Sequence, residues 1–324
     1  MRLTIDTATL TSSLLILIAA GAIGAGAACS GSPTSGFDLG DGGAHGSGGG
    51  GNGSGSGVIL LGGGSGSGSG VGGTDDADCP ASAKLVYVTG EGSKLYSFYP
   101  PTFTFTEIGV LSCLGAEYTP THMTVDRTGT AWVAAWVVNE NSALFETSSL
   151  YTASTANASC TKLAQWTPQP GGDFSDFALT FIGTTSSTDS TLYLLGGSSG
   201  TLGSFDTTTG ALTTIGTPAV SSPGGDMTTN GDGTLYYLQD TTALDLYEIS
   251  PTNAQILKSY SPSAKGGGDQ ALAFYGGSFY AFEDNVVYQF DPTTQKTTML
   301  GKAPLQVTGA GQSTCVPTTP PTSK

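Results

Sequence analysis

After residue 80 one short phrase returns five times: an alternating strand that opens on an apolar pair, a small polar turn, and another strand. The copies begin at Leu95-Tyr96, Leu150-Tyr151, Leu202-Gly203, Leu246-Tyr247 and Val287-Tyr288, at steps of 55, 52, 44 and 41 residues. A repeat of about 40–50 residues carrying only strand signals builds one small sheet per copy. Composition agrees. Charged residues make up 11% of the chain, and Thr, Ser, Tyr and Val are plentiful, a mixture that favours sheet over helix. No stretch beyond residue 30 shows a 3.6-residue apolar period.

Each copy divides into four strands, A to D, counted outward from a hub, and a ring of such sheets is a β-propeller. The B strands are clearest: residues 84–88, 130–134, 191–195, 234–238 and 278–282. Strand C carries the repeated pair. The turns Asp206–Gly210, Ser250–Asn253 and Asp291–Thr294 join C to D, with turn-forming residues at the required places. Strand D ends near Ile108-Gly109, Ile215-Gly216 and Leu300-Gly301. Short hairpins Asp126–Gly129 and Asn230–Gly233 join A to B. Met123-Thr124-Val125 aligns with Met227-Thr228-Thr229, and Ala271–Phe274 with Ala178–Phe181.

The first copy lacks an A strand, and a spare strand lies near Leu305–Ser313. The simplest resolution uses the spare strand to complete blade one. This closes the ring and removes two open sheet edges. The expected fold is therefore all-β: a propeller of five blades, with six as the alternative. Closure sets Cys315 beside Cys79, so a Cys79–Cys315 disulfide is expected. By elimination Cys113 pairs with Cys160. That pair fits the register poorly, because Cys113 follows the D strand of blade one and Cys160 opens that of blade two. Free thiols or a shifted register in blade two are the alternatives; Leu144-Phe145 and Leu150-Tyr151 can both serve as its strand C.

The first 73 residues are of another kind. Leu14–Ala20 is an apolar core too short to span a bilayer comfortably, laid out as a secretory signal with Arg2 at its positive end. It ends on Gly26-Ala27-Ala28-Cys29-Ser30-Gly31, which resembles a bacterial lipobox; Gly26 stands where that motif usually has Leu. The resemblance implies acylation of Cys29 and membrane attachment through the lipid. Cleavage at an ordinary small-residue site, giving a secreted soluble protein, is the alternative. Residues 30–73 are nearly all Gly and Ser, too polar to order themselves, and span about 35–40 Å as a flexible coil. The plan is a leader over 1–28, Cys29 and a flexible linker over 29–78, a propeller over 79–316 and a disordered tail over 317–324. The expected location is the cell envelope, in the outer membrane.

A formal charge of −15 excludes phosphate backbones as partners, and no basic stripe exists. Cations, glycans and other proteins remain open.

The stretch Val125-Asp126-Arg127-Thr128-Gly129-Thr130-Ala131-Trp132-Val133 resembles the repeat unit of NHL and gluconolactonase-like propellers. With the lipobox and tether, the layout resembles extracytoplasmic β-propeller lipoproteins of myxobacterial type. The resemblance covers about residues 79–316 and implies a fold and a surface location, with no activity attached.

Chemistry has one candidate place. Ser175-Asp176, Gly225-Asp226 and Gly268-Asp269 precede strand A in three blades. Thr121-His122 takes that place in blade two, and Gly311-Gln312 in blade one. Asp176, Asp226 and Asp269 with His122 around a channel could hold Ca²⁺ or hydrogen-bond a sugar. The structural alternative is an Asx turn before each strand. Asp226 aligns with the others only after a one-residue shift. A gluconolactonase metal set cannot be mapped onto the residues. Lyases of this fold need paired histidines, whereas only His45 and His122 exist, and nothing near His122 resembles a nucleophile elbow. Trp132, Trp136, Tyr193, Tyr236, Tyr237 and Tyr280 lie on B strands and are expected to pack between blades. The favoured reading is a surface-anchored binding module without a recognisable catalytic set. The alternative is a metal-dependent hydrolase or lactonase using the acidic ring.

Overall fold

The structure is a computed structural model. It describes residues 79–321 apart from 117, 138–147, 170–171, 184–189, 221–224 and 265. The leader, Cys29, the tether and Leu144-Phe145 lie outside the described residues.

Among the described residues, five four-stranded antiparallel sheets form a five-bladed propeller. Blade one holds β1 (Val86–Gly90), β2 (Lys94–Tyr99) and β3 (Thr104–Val110). Blade two holds β4 (Tyr118–Val125), β5 (Thr130–Val137), β6 (Ser149–Ser154) and β7 (Cys160–Lys162). Blade three holds β8 (Phe177–Gly183), β9 (Ser190–Gly196), β10 (Leu202–Phe205) and β11 (Leu212–Gly216). Blade four holds β12 (Gly225–Thr229), β13 (Leu235–Asp240), β14 (Leu244–Ile249) and β15 (Ile256–Tyr260). Blade five holds β16 (Gln270–Tyr275), β17 (Ser278–Glu283), β18 (Val286–Asp291) and β19 (Lys296–Lys302). The last strand, β20 (Val307–Gln312), returns to pair with β1 and is the inner strand of blade one. The inner strands β20, β4, β8, β12 and β16 adjoin in that order around the hub.

The closure follows the expected scheme. Val86 pairs with Gln312 and Val88 with Ala310 in an antiparallel register. Cys79 and Cys315 are joined, with their Cα atoms 6.0 Å apart. The Ser313 hydroxyl donates to the Ala83 carbonyl at 2.6 Å beside them. The small residues of β20 have a packing reason. A Cβ at Gly311 would lie 2.3 Å from the Met123 carbonyl oxygen, so only glycine lets the closing strand lie against blade two. The first B strand starts two residues later than expected. Residues Ala81–Lys84 form a 3₁₀ turn, held by the Ala83 N–H donating to Pro80 O at 2.9 Å.

The Cys113–Cys160 disulfide is present, with its Cα atoms 5.5 Å apart. The expectation that the two residues lie at opposite ends of the ring is corrected by twist. Each strand rotates by about 20–25° from its neighbour, so the outer strand swings by roughly 60–75° relative to the hub. The far end of one D strand therefore meets the C–D turn of the next blade. A Cβ at Gly109 would lie 3.2 Å from Ala158, one at Gly216 3.2 Å from Asn253, and one at Gly301 3.0 Å from the Phe103 ring. The recurrent Ile-Gly or Leu-Gly at the end of strand D is this contact, and each lies beside a bulge in the C–D pairing.

The core lies between blades, where successive sheets face each other. Phe98 is fully buried and stacks on Phe105 at 4.4 Å within blade one. It also meets Tyr280 and Phe282 of blade five edge-on, each at 5.8 Å. Trp132 of blade two meets Phe181 of blade three at 5.4 Å. Tyr236 of blade four meets Phe279 of blade five at 4.6 Å. The B-strand aromatics Trp132, Tyr236 and Tyr280 thus pack between blades. Residues 317–321 run along the A–B hairpins, where the Gly276 N–H donates to Pro317 O at 2.7 Å. A Cβ at Gly276 would come 3.4 Å from Pro320.

Candidate functional site

The inner strand of each blade has one edge without a sheet neighbour, so its backbone N–H and C=O groups need other partners. Side chains at the hub supply them. Asp226, on β12, is wholly buried. Its Oδ1 accepts from its own neighbour, the Met227 N–H, at 2.8 Å. Its Oδ2 accepts from the Leu272 N–H on β16 at 2.7 Å. Gln312, on β20, is 1% exposed. Its Oε1 accepts from the Phe274 N–H at 3.0 Å. Its Nε2 donates to Thr228 Oγ1 and to the Thr229 carbonyl, both at 2.7 Å. Thr124 on β4 donates to the Gln312 carbonyl at 3.2 Å.

One further bond crosses the hub. His122 Nδ1 on β4 lies 3.1 Å from Asp226 Oδ1 on β12, joining blades two and four past blade three. Burial pushes the Asp226 carboxyl above its ordinary value, against the pull of His122 and of the Leu272 and Met227 N–H groups. For His122 burial pulls downward. The Asp226 hydrogen bond and charge, with the charges of Asp176 and Asp269, outweigh it, and the imidazole is raised above 6.5. Asp226 is fully buried, while 14% of the His122 side chain remains exposed.

The four expected site residues separate into two sets. Asp226 and His122 meet in the hub. Asp176 precedes β8 and accepts from the Ser148 hydroxyl at 3.3 Å. Asp269 precedes β16, is exposed, and accepts from Gln306 Nε2 at 2.7 Å. The strand register is the physical reason, for it sets Asp226 two residues further along than the other two carboxylates. As the second residue of its strand it points inward among the blades, whereas Asp176 and Asp269 remain before theirs. Among the described residues no three His, Cys, Asp or Glu side chains converge in a way that could hold a metal ion. Thr124 and Thr228 were not singled out as hub residues by the sequence reading. The available signal was their i+2 spacing from His122 and Asp226, which puts each pair on one strand face.

Open concave surface occurs on the hairpin side of the ring. One groove of about 600 Å³ lies between the A–B hairpin of blade two, with Asp126, and the C–D turn of blade three, with Asp206. A second, also of about 600 Å³, lies at the equivalent seam of blades five and one, between Tyr275-Gly276 and Pro100–Phe103. Pro320 and Pro321 line the second groove.

No protein-family model matches the chain, and no curated protein matches it in sequence. Solved structures do resemble it in shape. A protein of unknown function from Bacteroides caccae aligns with a TM-score of 0.37 and 14% identity, over 68% of this chain and 72% of that one. A chain of a nidogen/laminin complex aligns with a TM-score of 0.45 and 10% identity, over 70% of this chain and 97% of that one.

Proposed function

We propose that the chain is an exported, lipid-anchored β-propeller whose task is to bind a partner at the cell envelope. The observation that carries the binding reading is the hub. The polar side chains of His122, Asp226 and Gln312 are spent on the inner edges of the blades and on one another. Asp226 has three donors or charge partners within the fold, and a carboxylate so engaged serves the ring as a brace. Open surface lies instead at the seams between blades. The lipobox-like run ending at Cys29 and the Gly/Ser tether support a location held off the membrane by the anchor.

One observation favours a second reading, a metal-dependent hydrolase or lactonase: His122 feels the charges of Asp176 and Asp269 as well as Asp226, so negative potential does converge at the hub mouth. Metal analysis of the purified protein separates the two readings. Binding alone predicts no stoichiometric Ca²⁺ and no change on Asp269→Ala. One tightly held Ca²⁺ per chain, lost in Asp226→Ala and in Asp269→Ala, overturns the binding reading. For the anchor, mass spectrometry of the mature N-terminus should find an acylated Cys29. An unmodified peptide spanning Ala28-Cys29 refutes it.

A further inference from the structure

The two grooves occupy equivalent seams but differ in lining. The seam of blades five and one is walled by Pro100, Pro101, Phe103 and Tyr275, and the protein's own Pro320-Pro321 lies along it. The seam of blades two and three is polar, and no segment of the described chain crosses it in that way. Thr191, Ser204, Thr207, Thr208 and Thr213 line it, and none of their hydroxyls has a hydrogen-bond partner among the described residues. Asp206 stands on the rim with its carboxylate fixed by the Thr208 and Thr209 N–H groups at 2.8 and 3.0 Å. Across from it, Asp126 is fixed by the Thr128 and Thr130 N–H groups at 2.9 and 3.0 Å and by the Trp132 indole N–H at 3.0 Å. The indole, 8% exposed, belongs to the floor.

Electrostatics and size narrow the occupant. Two carboxylates and one guanidinium, that of Arg127, leave the lining net negative, which disfavours phosphates, sulfates and uronates. Five hydroxyls with unused donors and acceptors match a ligand that is itself dense in hydroxyls, since each of these groups both gives and takes a hydrogen bond. The Asp206 carboxylate, preset through one oxygen, is a strong acceptor for ligand O–H groups, whereas Asp126, taken by four internal donors, shapes its wall. A volume of about 600 Å³ falls in the range of sites that hold small organic ligands.

We propose that the groove between blades two and three binds a segment of neutral glycan, with the Asp206 turn as one wall and the Asp126 hairpin as the other. This rests on the binding-module reading and adds its site and ligand class. The orderly turns on either side matter to the argument. Their side chains are held by their own backbones before any ligand arrives, so little ordering is required on binding.

The test uses the purified full chain, titrated by calorimetry with cellohexaose, mannohexaose and chitohexaose. Saturable binding to at least one is expected. Thr207→Arg, which drives a long side chain across the groove from an exposed turn, should weaken it by about tenfold or more. Thr252→Arg, at the corresponding turn of blade four, should leave it unchanged. Intrinsic fluorescence should shift on binding through Trp132, and the shift should vanish with Thr207→Arg. Absence of saturable binding to all three hexasaccharides, or equal binding by Thr207→Arg and the parent, overturns the proposal. Circular dichroism on Thr207→Arg confirms that the ring is intact. A protein that binds no hexasaccharide and holds no hub metal loses this inference while the broader reading stands. Stoichiometric hub Ca²⁺ overturns the broader reading whatever the groove does.

Discussion

His122 and Asp226 sit 104 residues apart in sequence and 3.1 Å apart across the hub, linking two blades that are not neighbours in the ring. Asp226 also takes the Leu272 N–H of blade five, so one carboxylate ties three blades together. Removing it leaves a partly buried imidazole and the buried Leu272 N–H without their partner. Asp226→Ala is expected to cost about 3–5 kcal/mol, the usual penalty for breaking a buried charged pair from one side. Asp226→Asn keeps an acceptor and should cost less. Urea unfolding midpoints of the two variants measure the difference. Equal midpoints for Asp226→Ala and the parent would show that the bond contributes nothing to the ring.

The same pair gives stability a pH dependence with a definite sign. The imidazole is raised in the folded state, so its contribution is complete below 6.5 and is lost as pH rises through the higher folded value. The Asp226 carboxyl is raised too, and the stability carried by its protonated form is lost as pH rises above 3.8. Both losses run toward alkali. Asp206 and Asp291 have the opposite sign. Their turn N–H and Thr partners lower them, and that support is lost below 3.8. The other histidine, His45, falls in the Gly/Ser-rich segment, so between pH 6 and 9 the effect belongs to the His122–Asp226 pair. Denaturant unfolding of the parent should weaken from pH 6 to pH 9, and His122→Gln should flatten that slope. An unchanged slope in the variant would assign the effect elsewhere.

The two disulfides should separate in what their loss exposes. Cys79–Cys315 spans 236 residues and Cys113–Cys160 spans 47. Each is expected to contribute about 2–5 kcal/mol, with the longer loop at the upper end. Cys315→Ser unpins β20 from β1, so hydrogen exchange should rise first along the seam from Val86 to Gln312. Cys160→Ser should instead loosen residues 111–114 and the three-residue strand β7. Exchange that rises uniformly in both variants would contradict this division.

Much of the architecture was legible because its signals are local. The Asx-and-glycine hairpins set the A–B register, and Leu-Tyr pairs mark the C strands, so a missing first strand and a spare last one could be counted directly. The chemistry at the hub was less legible. Asp176, Asp226 and Asp269 share a sequence context, yet Asp226 lies two residues further along, inside its strand and buried, while Asp269 stands before its strand in solvent. Thr124 and Thr228 resemble ordinary strand threonines; their role comes from blade one, whose Gln312 arrives at the hub only through closure. The Cys113–Cys160 pair fits the register poorly when Cys113 is counted after one D strand and Cys160 at the start of the next. Accumulated twist brings them together.

The glycine that ends strand D offers a sharp test of that twist. Gly301 stands against the Phe103 ring of blade one, where an added Cβ would be 3.0 Å from the nearest ring carbon. Its φ of 154° also lies outside the range that side-chain-bearing residues favour. Phe103 itself meets Phe98 edge-on at 5.8 Å and Phe105 at 5.5 Å, so it has little room to yield. Gly301→Val should therefore displace the Phe103 turn and cost about 1–3 kcal/mol as overpacking. Phe103→Ala in the Gly301→Val background opens the space again. Part of that loss should be recovered, so the two effects should fall short of additivity by at least about 0.5 kcal/mol. Thermal unfolding of the two single variants and the double variant closes the cycle. Strict additivity would mean that blades five and one do not meet at this point.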